Sequence, residues 1–393
     1  MKVEAPVFYL FSASHSFLLG LLPIYIPVLL WNKGLTLEHI SFFIVLSSIG
    51  FSLAFSFWVK MRASSQWLKI ILLSFITELL LIAVVLSSCG LVLLALGGFL
   101  NDVAFCFYLS TQRILLHFMT QDKNTGNTLR NLHIVTAIVL KIGLITGGYL
   151  LAKNQFLVVF GLSVLVSFVS YYLLFKNIYQ KDYLSDIHQP PAITIKKTLQ
   201  FKDNFKSKLI FSLDGIFLFL ESYFWVIFIF MLLKENILKL SLVIVLLSIS
   251  LAFIFWFIKK KIDHVNHDKL YFYAVGGYIL SWVLRGYLNS NSIDNTVLFY
   301  IKLLLITFLS NFFRLAYNKR FFYIARLDNP IRYIACRAYY GQFGAFLFFI
   351  LIGILASLGN DPINQLQIVF YLATPLSFTY FLYRKMKKTP EGG

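Results

Sequence analysis

Hydrophobic residues in this chain come in long unbroken runs and do not alternate with polar ones. Twelve runs of 18 to 26 residues stand out, at 6–31, 41–58, 68–88, 91–112, 130–152, 156–175, 209–233, 240–258, 270–288, 296–316, 332–357 and 364–383. A helix rises about 1.5 Å per residue, so about 20 apolar residues cross a hydrocarbon core about 30 Å thick. Each run therefore predicts a membrane-spanning helix. Membrane strands are shorter and alternate with period two, and these runs do neither. The first run is too long for the apolar core of a cleavable signal peptide.

Composition supports this reading. Of 393 residues, 59% are hydrophobic and only 13% charged, against about 25% charged in a soluble domain. A water-soluble globule, a disordered chain and a disulfide-stapled module are excluded. Cys89, Cys106 and Cys336 are scattered and form no C-x-x-C pair, so neither a metal site nor a disulfide framework is expected. No cofactor is expected either.

The net charge of +18 would suggest a nucleic-acid partner in a soluble protein. Here the basic residues sort by side. With both termini placed inside, the inner segments hold 25 of the 35 Lys and Arg, and the outer loops hold Lys33, Lys153, Lys234 and Lys239. That asymmetry predicts cytoplasmic termini in an inner or plasma membrane, and no nucleic-acid partner. The longest connection, 176–208, carries seven Lys, three Asp and Pro190-Pro191. It divides the chain into a first six-helix bundle (1–175), a cytoplasmic linker (176–208), a second bundle (209–383) and a tail (384–393). An amphipathic stretch near Ile193–Phe205 suits the surface of the inner leaflet.

Two six-span halves joined by a basic loop resemble the major facilitator superfamily of secondary transporters. Two local patterns add to the resemblance. Asp263, Asn266 and Lys269 follow span eight where the family has an Asp-Arg-x-Gly-Arg-Lys-like turn, and the first-half counterpart Val59–Ser64 keeps the positive charge without the Asp. In span five, Gly143-Leu144-Ile145-Thr146-Gly147-Gly148 is similar to the family's Gly-Pro-x-x-Gly-Gly, with Leu144 in place of Pro. Arg130 precedes Gly143, and Arg332 precedes Gly344, at nearly the same spacing, as duplicated halves would give. The resemblance implies an all-α polytopic protein of twelve transmembrane helices in two pseudo-symmetric bundles, sufficient as a monomer, with spans one, four, seven and ten lining a central path.

Ionisable residues inside a bilayer are costly and so point to function. Besides Lys69 and Arg130 at run ends, counted above with the inner segments, ten lie within the runs: Glu78, Asp102, Lys141, Asp214, Glu221, Arg285, Lys302, Arg314, Arg332 and Arg337. Arg285 and Arg332 lie near span ends, where they can snorkel. Asp102 and Lys141 lie at matching depth on consecutive spans and are expected to pair or to share the cavity. Asp214 and Glu221, seven residues apart, share a helix face. Glu221, as a lone buried carboxylate, is the first candidate for proton coupling, followed by Asp102 and Asp214. Arg314 suits a carboxylate or phosphate. With Lys141, Lys302, His15, Tyr25 and Tyr223 it forms the expected substrate-binding set. Asp263 and Arg337 are the candidate gating residues, and Glu78 is expected to be structural.

These readings predict a transporter, not an enzyme, since no H-E-x-x-H, His/Asp cluster or phosphate-binding glycine loop is present. The expected substrate is a small organic solute, an anionic or carboxylate-bearing metabolite or siderophore, moved by proton-coupled alternating access. The alternatives are drug-type efflux of amphipathic or cationic compounds and a non-transporting sensor of the same fold.

Overall fold

The computed structural model describes the backbone of residues 5–119, 125–181, 198, 200–264, 267–288, 296–325, 330–359 and 361–383. Side chains are described for these residues except 5–7, 114, 116–119, 125–131, 133, 177–181, 258–264, 267, 296 and 330–331. Among the described residues there is no strand, and twelve long helices follow one another.

Helix α1 runs through Ala5–Leu21, a 3-10 turn at Pro23–Tyr25 and Ile26–Asn32. Helices α2 (Leu37–Ala63) and α3 (Trp67–Ser87) follow. Helix α4 comprises Gly90–Val92, a π segment at Leu93–Gly97 and Gly98–Met119. Helices α5 (Thr125–Ala152) and α6 (Phe156–Lys181) complete the first half. Helix α7 comprises Ser207–Phe219, a π segment at Leu220–Phe224 and Trp225–Leu232. Helices α8 (Ile237–His264), α9 (His267–Gly286), α10 (Thr296–Ala325) and α11 (Pro330–Ala356) precede α12, which spans Pro362–Phe378 and tightens at Thr379–Leu382.

Local chemistry sets these boundaries. Pro23 and Pro27 interrupt α1, since proline lacks the N–H that the helical ladder needs. Thr36 caps α2 by accepting from the His39 backbone, and Asp361 caps α12 by accepting from Ile363 N at 2.9 Å, with Pro362 in the first turn.

Ten of the helices are long and apolar enough to cross a membrane. The other two are α9, with His267, Asp268, Lys269 and Arg285 near its ends, and α12, which has 17 residues before it tightens. The outward side chains of α6 and α8 are apolar and bare: Leu157 is 87% exposed, Phe168 70% and Trp256 71%. Such surfaces suit lipid, and the chain is an integral membrane protein.

Contacts divide the chain into two compact units: 1–195 with 222–245 and 346–355, and 196–221 with 246–345 and 356–393. In the first unit, α1 packs on α5 and α6, α2 on α4, and α3 on α4 and α6. In the second, α9 packs on α10 and α12.

One crossing occurs in both units. In the first, a Cβ on Gly20 would collide with the Leu140 carbonyl, and one on Gly143 with the Phe17 carbonyl. In the second, a Cβ on Gly215 would collide with the Gly341 carbonyl, and one on Gly344 with the Ser212 carbonyl. The partners are three residues apart on every helix involved. Backbones approach this closely only where side chains are absent. Gly143 and Gly147 of the antiporter-like pattern thus hold α5 against α1, and Gly344 does the same for α11 against α7.

Candidate functional site

The second unit holds a buried cluster of three guanidiniums and two carboxylates. Helix α7 supplies Asp214 and, from its π segment, Glu221. Helix α9 supplies Tyr278 and Arg285, α10 supplies Arg314, and α11 supplies Arg337. A π turn inserts an extra residue into the helical ladder and re-aims the side chains around it, which is why such turns often mark functional sites.

Asp214 bridges two arginines. Arg337 Nε donates to Oδ2 at 2.9 Å, and Arg314 Nη1 donates to Oδ1. Glu221 Oε2 accepts twice from Arg314, from Nη2 at 2.9 Å and Nε at 3.2 Å. Its Oε1 accepts from the Tyr278 hydroxyl at 2.9 Å, with Arg285 Nη2 at 3.8 Å. Arg285 also donates to Ser310 Oγ at 2.9 Å and lies 4.0 Å over the Trp282 ring. Arg337 donates to Asn318 Oδ1 at 3.2 Å and faces Phe321.

Each buried charge would be costly alone, and the pairing offsets that cost. With all five groups ionised, one positive charge remains unbalanced. Asp214 and Arg285 are 2% exposed as side chains, while Arg314 (17%), Glu221 (19%) and Arg337 (14%) keep an open edge. An anion at that edge would meet Arg314 and Arg337, whose forks Glu221 and Asp214 already occupy, so it would bind in competition with them.

The first unit holds a second polar group. His15 on α1 has Nδ1 2.6 Å from Glu78 Oε2 and Nε2 3.0 Å from Ser74 Oγ, both on α3. Its ring stacks between Phe75 and Tyr108, each centroid 4.3 Å away. Within α4, Asp102 accepts from Asn101 Nδ2 at 2.9 Å, and Asn101 also donates to Ser47 Oγ. Tyr25 is fully buried and donates to the Leu144 carbonyl at 2.6 Å. Tyr223 is buried with its ring 6.0 Å from Phe43.

Several expectations are corrected. Glu221 is not a lone carboxylate: Arg314, Tyr278 and Arg285 surround it. Arg285 does not snorkel, because the Trp282 face and the Ser310 hydroxyl hold it inward. Asp102 and Lys141 match in depth but form no ion pair; Asp102 turns to its neighbour Asn101, and Lys141 is half-buried on α5. Depth along a helix leaves the direction of a side chain open, so equal depth does not by itself make a pair.

The shared face of Asp214 and Glu221 is real, since both reach Arg314. Lys302 is half-buried on α10, about three turns from Arg314. The side chains of Asp263 and Arg130 and most of 176–208 lie outside the described residues. The sequence reading missed Tyr278, Ser310 and Asn318 as partners, and it left Glu78 without His15. Their only signal was polar character inside apolar runs.

No family model matches this sequence, and no curated protein matches it either. Solved structures do. The chain is similar to the crystal structure of the nucleoside transporter NupG, with TM-score 0.62 and 14% identity over 98% of this chain and 99% of that one. A point mutant of NupG gives TM-score 0.64 and 14% identity over 97% and 100%. At this identity the likeness speaks to the fold, and it covers both proteins end to end. Twelve helices, the repeated glycine crossing and this match together show that the chain shares the all-helical fold of NupG.

Proposed function

We propose that the protein is a secondary transporter that moves a small organic anion across the inner or plasma membrane, with both termini in the cytoplasm. The observation that carries this reading is the α7–α9–α10–α11 cluster, with three guanidiniums to two carboxylates and its open edge at Arg314 and Arg337. A carboxylate-bearing solute, a siderophore included, would balance the remaining charge. Arg314 and Arg337 would receive it by forked hydrogen bonds. Asp214 and Glu221 hold both forks in place and would loosen as the solute competes for them. That competition supports alternating access, because ligand binding would break the ties among four helices. Proton coupling is part of the reading: an anion moves readily against its gradient when protons accompany it. A monomer is sufficient.

The test is a thermal-shift screen of the purified protein with organic carboxylates, siderophores, nucleosides and amphipathic cations, followed by counterflow in liposomes. A ligand at about 100 times its Kd adds about 2.7 kcal/mol to native stability. Stabilisation by carboxylates, lost in Arg337→Ala, is expected. Stabilisation by nucleosides or hydrophobic cations alone would overturn the anion assignment, and binding without flux would make the protein a sensor.

A further inference from the structure

Two buried hydroxyls of the second unit have no hydrogen-bond partner among the described residues. They belong to Tyr317 on α10 and to Tyr380 in the tightened end of α12, and both residues are fully buried. This holds however the hydroxyl hydrogens turn. A buried hydroxyl without a partner is costly. The rings themselves are well placed. Arg337 lies 5.0 Å over the Tyr317 ring, and Phe313 stacks with that ring at 5.8 Å. The Tyr380 ring packs on Phe217 at 5.6 Å and edge-on to Phe313 at 4.8 Å, and its carbonyl accepts from Tyr271. Phenylalanine could make every one of these ring contacts. Only the hydroxyls are spare.

Both rings stand around Asp214. Arg337, which donates to Asp214 Oδ2, covers Tyr317. Phe217, three residues after Asp214 and so on the same face of α7, packs on Tyr380. The two tyrosine rings lie 5.7 Å apart. Of the charges around the two hydroxyls, Asp214 acts most strongly on both. Among the described residues Asp214 accepts only from Arg314 and Arg337, and its side chain is 2% exposed. A solute that takes both forks strands this carboxylate away from water, and a stranded buried charge is heavily penalised. Glu221 keeps Tyr278 as a donor in that event. Asp214 needs a new one, and a change of rotamer is the motion open to it.

We propose that Tyr317 and Tyr380 are positioning residues that receive Asp214 when a solute displaces it from Arg314 and Arg337. The solute then meets two free guanidinium forks, and the carboxylate exchanges one set of buried donors for another. Hydrogen bonds to a carboxylate are stronger than those between neutral groups, so hydroxyls idle in this conformation stabilise the solute-bound one. Their role in transport rests on the anion reading above, whereas the exchange of partners at Asp214 is testable without a solute.

The test is a set of mutant cycles on the full-length protein in one detergent, read by thermal unfolding. Arg337→Met stands in for the solute, because it frees Asp214 Oδ2. In the wild-type background Tyr317→Phe and Tyr380→Phe are expected to keep or raise the melting temperature, since each removes a hydroxyl without a partner. In Arg337→Met the same changes together are expected to lower it by about 2 °C or more. Arg314→Lys, which loosens the hold on Oδ1, is the second background if Arg337→Met does not fold. A hydroxyl that merely supports packing or binds water shifts both backgrounds alike, and equal shifts would overturn the proposal.

Solute binding separates this exchange from the anion reading. The probes are succinate and citrate. Where they stabilise the wild type, the Tyr317→Phe/Tyr380→Phe double variant is expected to bind them at least about tenfold more weakly. Asp214→Asn, which leaves no charge to receive, should cancel that loss. A loss that persists in Asp214→Asn would mean that the hydroxyls touch the solute itself, and would overturn the receiving role. If melting depends on background as expected but no organic anion binds, the exchange at Asp214 stands and the anion reading falls. If the probes bind and melting ignores background, the anion reading stands and the exchange falls.

Discussion

One oxygen of Glu221 sits in the fork of Arg314, accepting from Nη2 at 2.9 Å and from Nε at 3.2 Å. A lysine has no such fork. Arg314→Lys keeps the charge and is expected to fold, yet to weaken anion binding tenfold or more. Arg314→Ala leaves Glu221 and Asp214 each short of a partner, and breaking a buried pair costs about 3–5 kcal/mol. Thermal unfolding and ligand titration of both variants distinguish the two effects.

Asp214 is the joint between two arginines, and its removal should be worse than removal of the pair. Asp214→Asn leaves Arg314 and Arg337 facing each other with the intervening charge gone. Adding Arg337→Gln to that variant relieves the repulsion. A double-mutant cycle is expected to show the double variant more stable than the sum of the single losses implies, with a coupling of about 1–3 kcal/mol. Additive losses would show that Asp214 and Arg337 touch without depending on each other.

The glycine crossings give a sharper contrast. A Cβ on Gly147 or Gly344 would collide with a backbone carbonyl of the facing helix, and a backbone cannot step aside as a side chain does. Gly147→Ala and Gly344→Ala are expected to destabilise by about 1–3 kcal/mol. Gly161 and Gly276 have nothing within 4 Å of their Cβ positions. At these sites alanine is expected to be neutral or to stabilise by about 0.5–1 kcal/mol, as in any helix interior. Melting temperatures of the four variants in one detergent decide it.

The contrast between these sites shows what the sequence makes legible. Runs such as 68–88 and 240–258 become α3 and α8 because burying a backbone in lipid leaves few alternatives to a helix. The seven-residue spacing of Asp214 and Glu221 placed them on one face, and both reach Arg314 despite the intervening π segment. Partners across helices were not legible. His15 and Glu78 are 63 residues apart, and no local rule joins them. Arg285 looked like a snorkelling end residue because its distance from the span end was readable, while its aim at Trp282 and Ser310 was not. The matching depth of Asp102 and Lys141 misled for the same reason.

Lys141 now stands as the sharpest separation of stability from function. It is half-buried within an apolar helix, and a lysine at such depth costs about 2.5–3.5 kcal/mol on insertion scales. The structure joins it to neither Asp102 nor Glu78, so its charge stabilises neither carboxylate. Removing it should leave the fold as stable or more so. If the charge serves an anionic solute, Lys141→Met should keep or raise the melting temperature while solute affinity falls about tenfold. Stabilisation gained as activity is lost is the pattern of a residue retained for function. Equal flux in Lys141→Met and the wild type would take Lys141 out of the substrate path and leave Arg314 and Arg337 as the anion's cationic partners. A marked loss of stability would instead show that the lysine supports packing through its aliphatic stem.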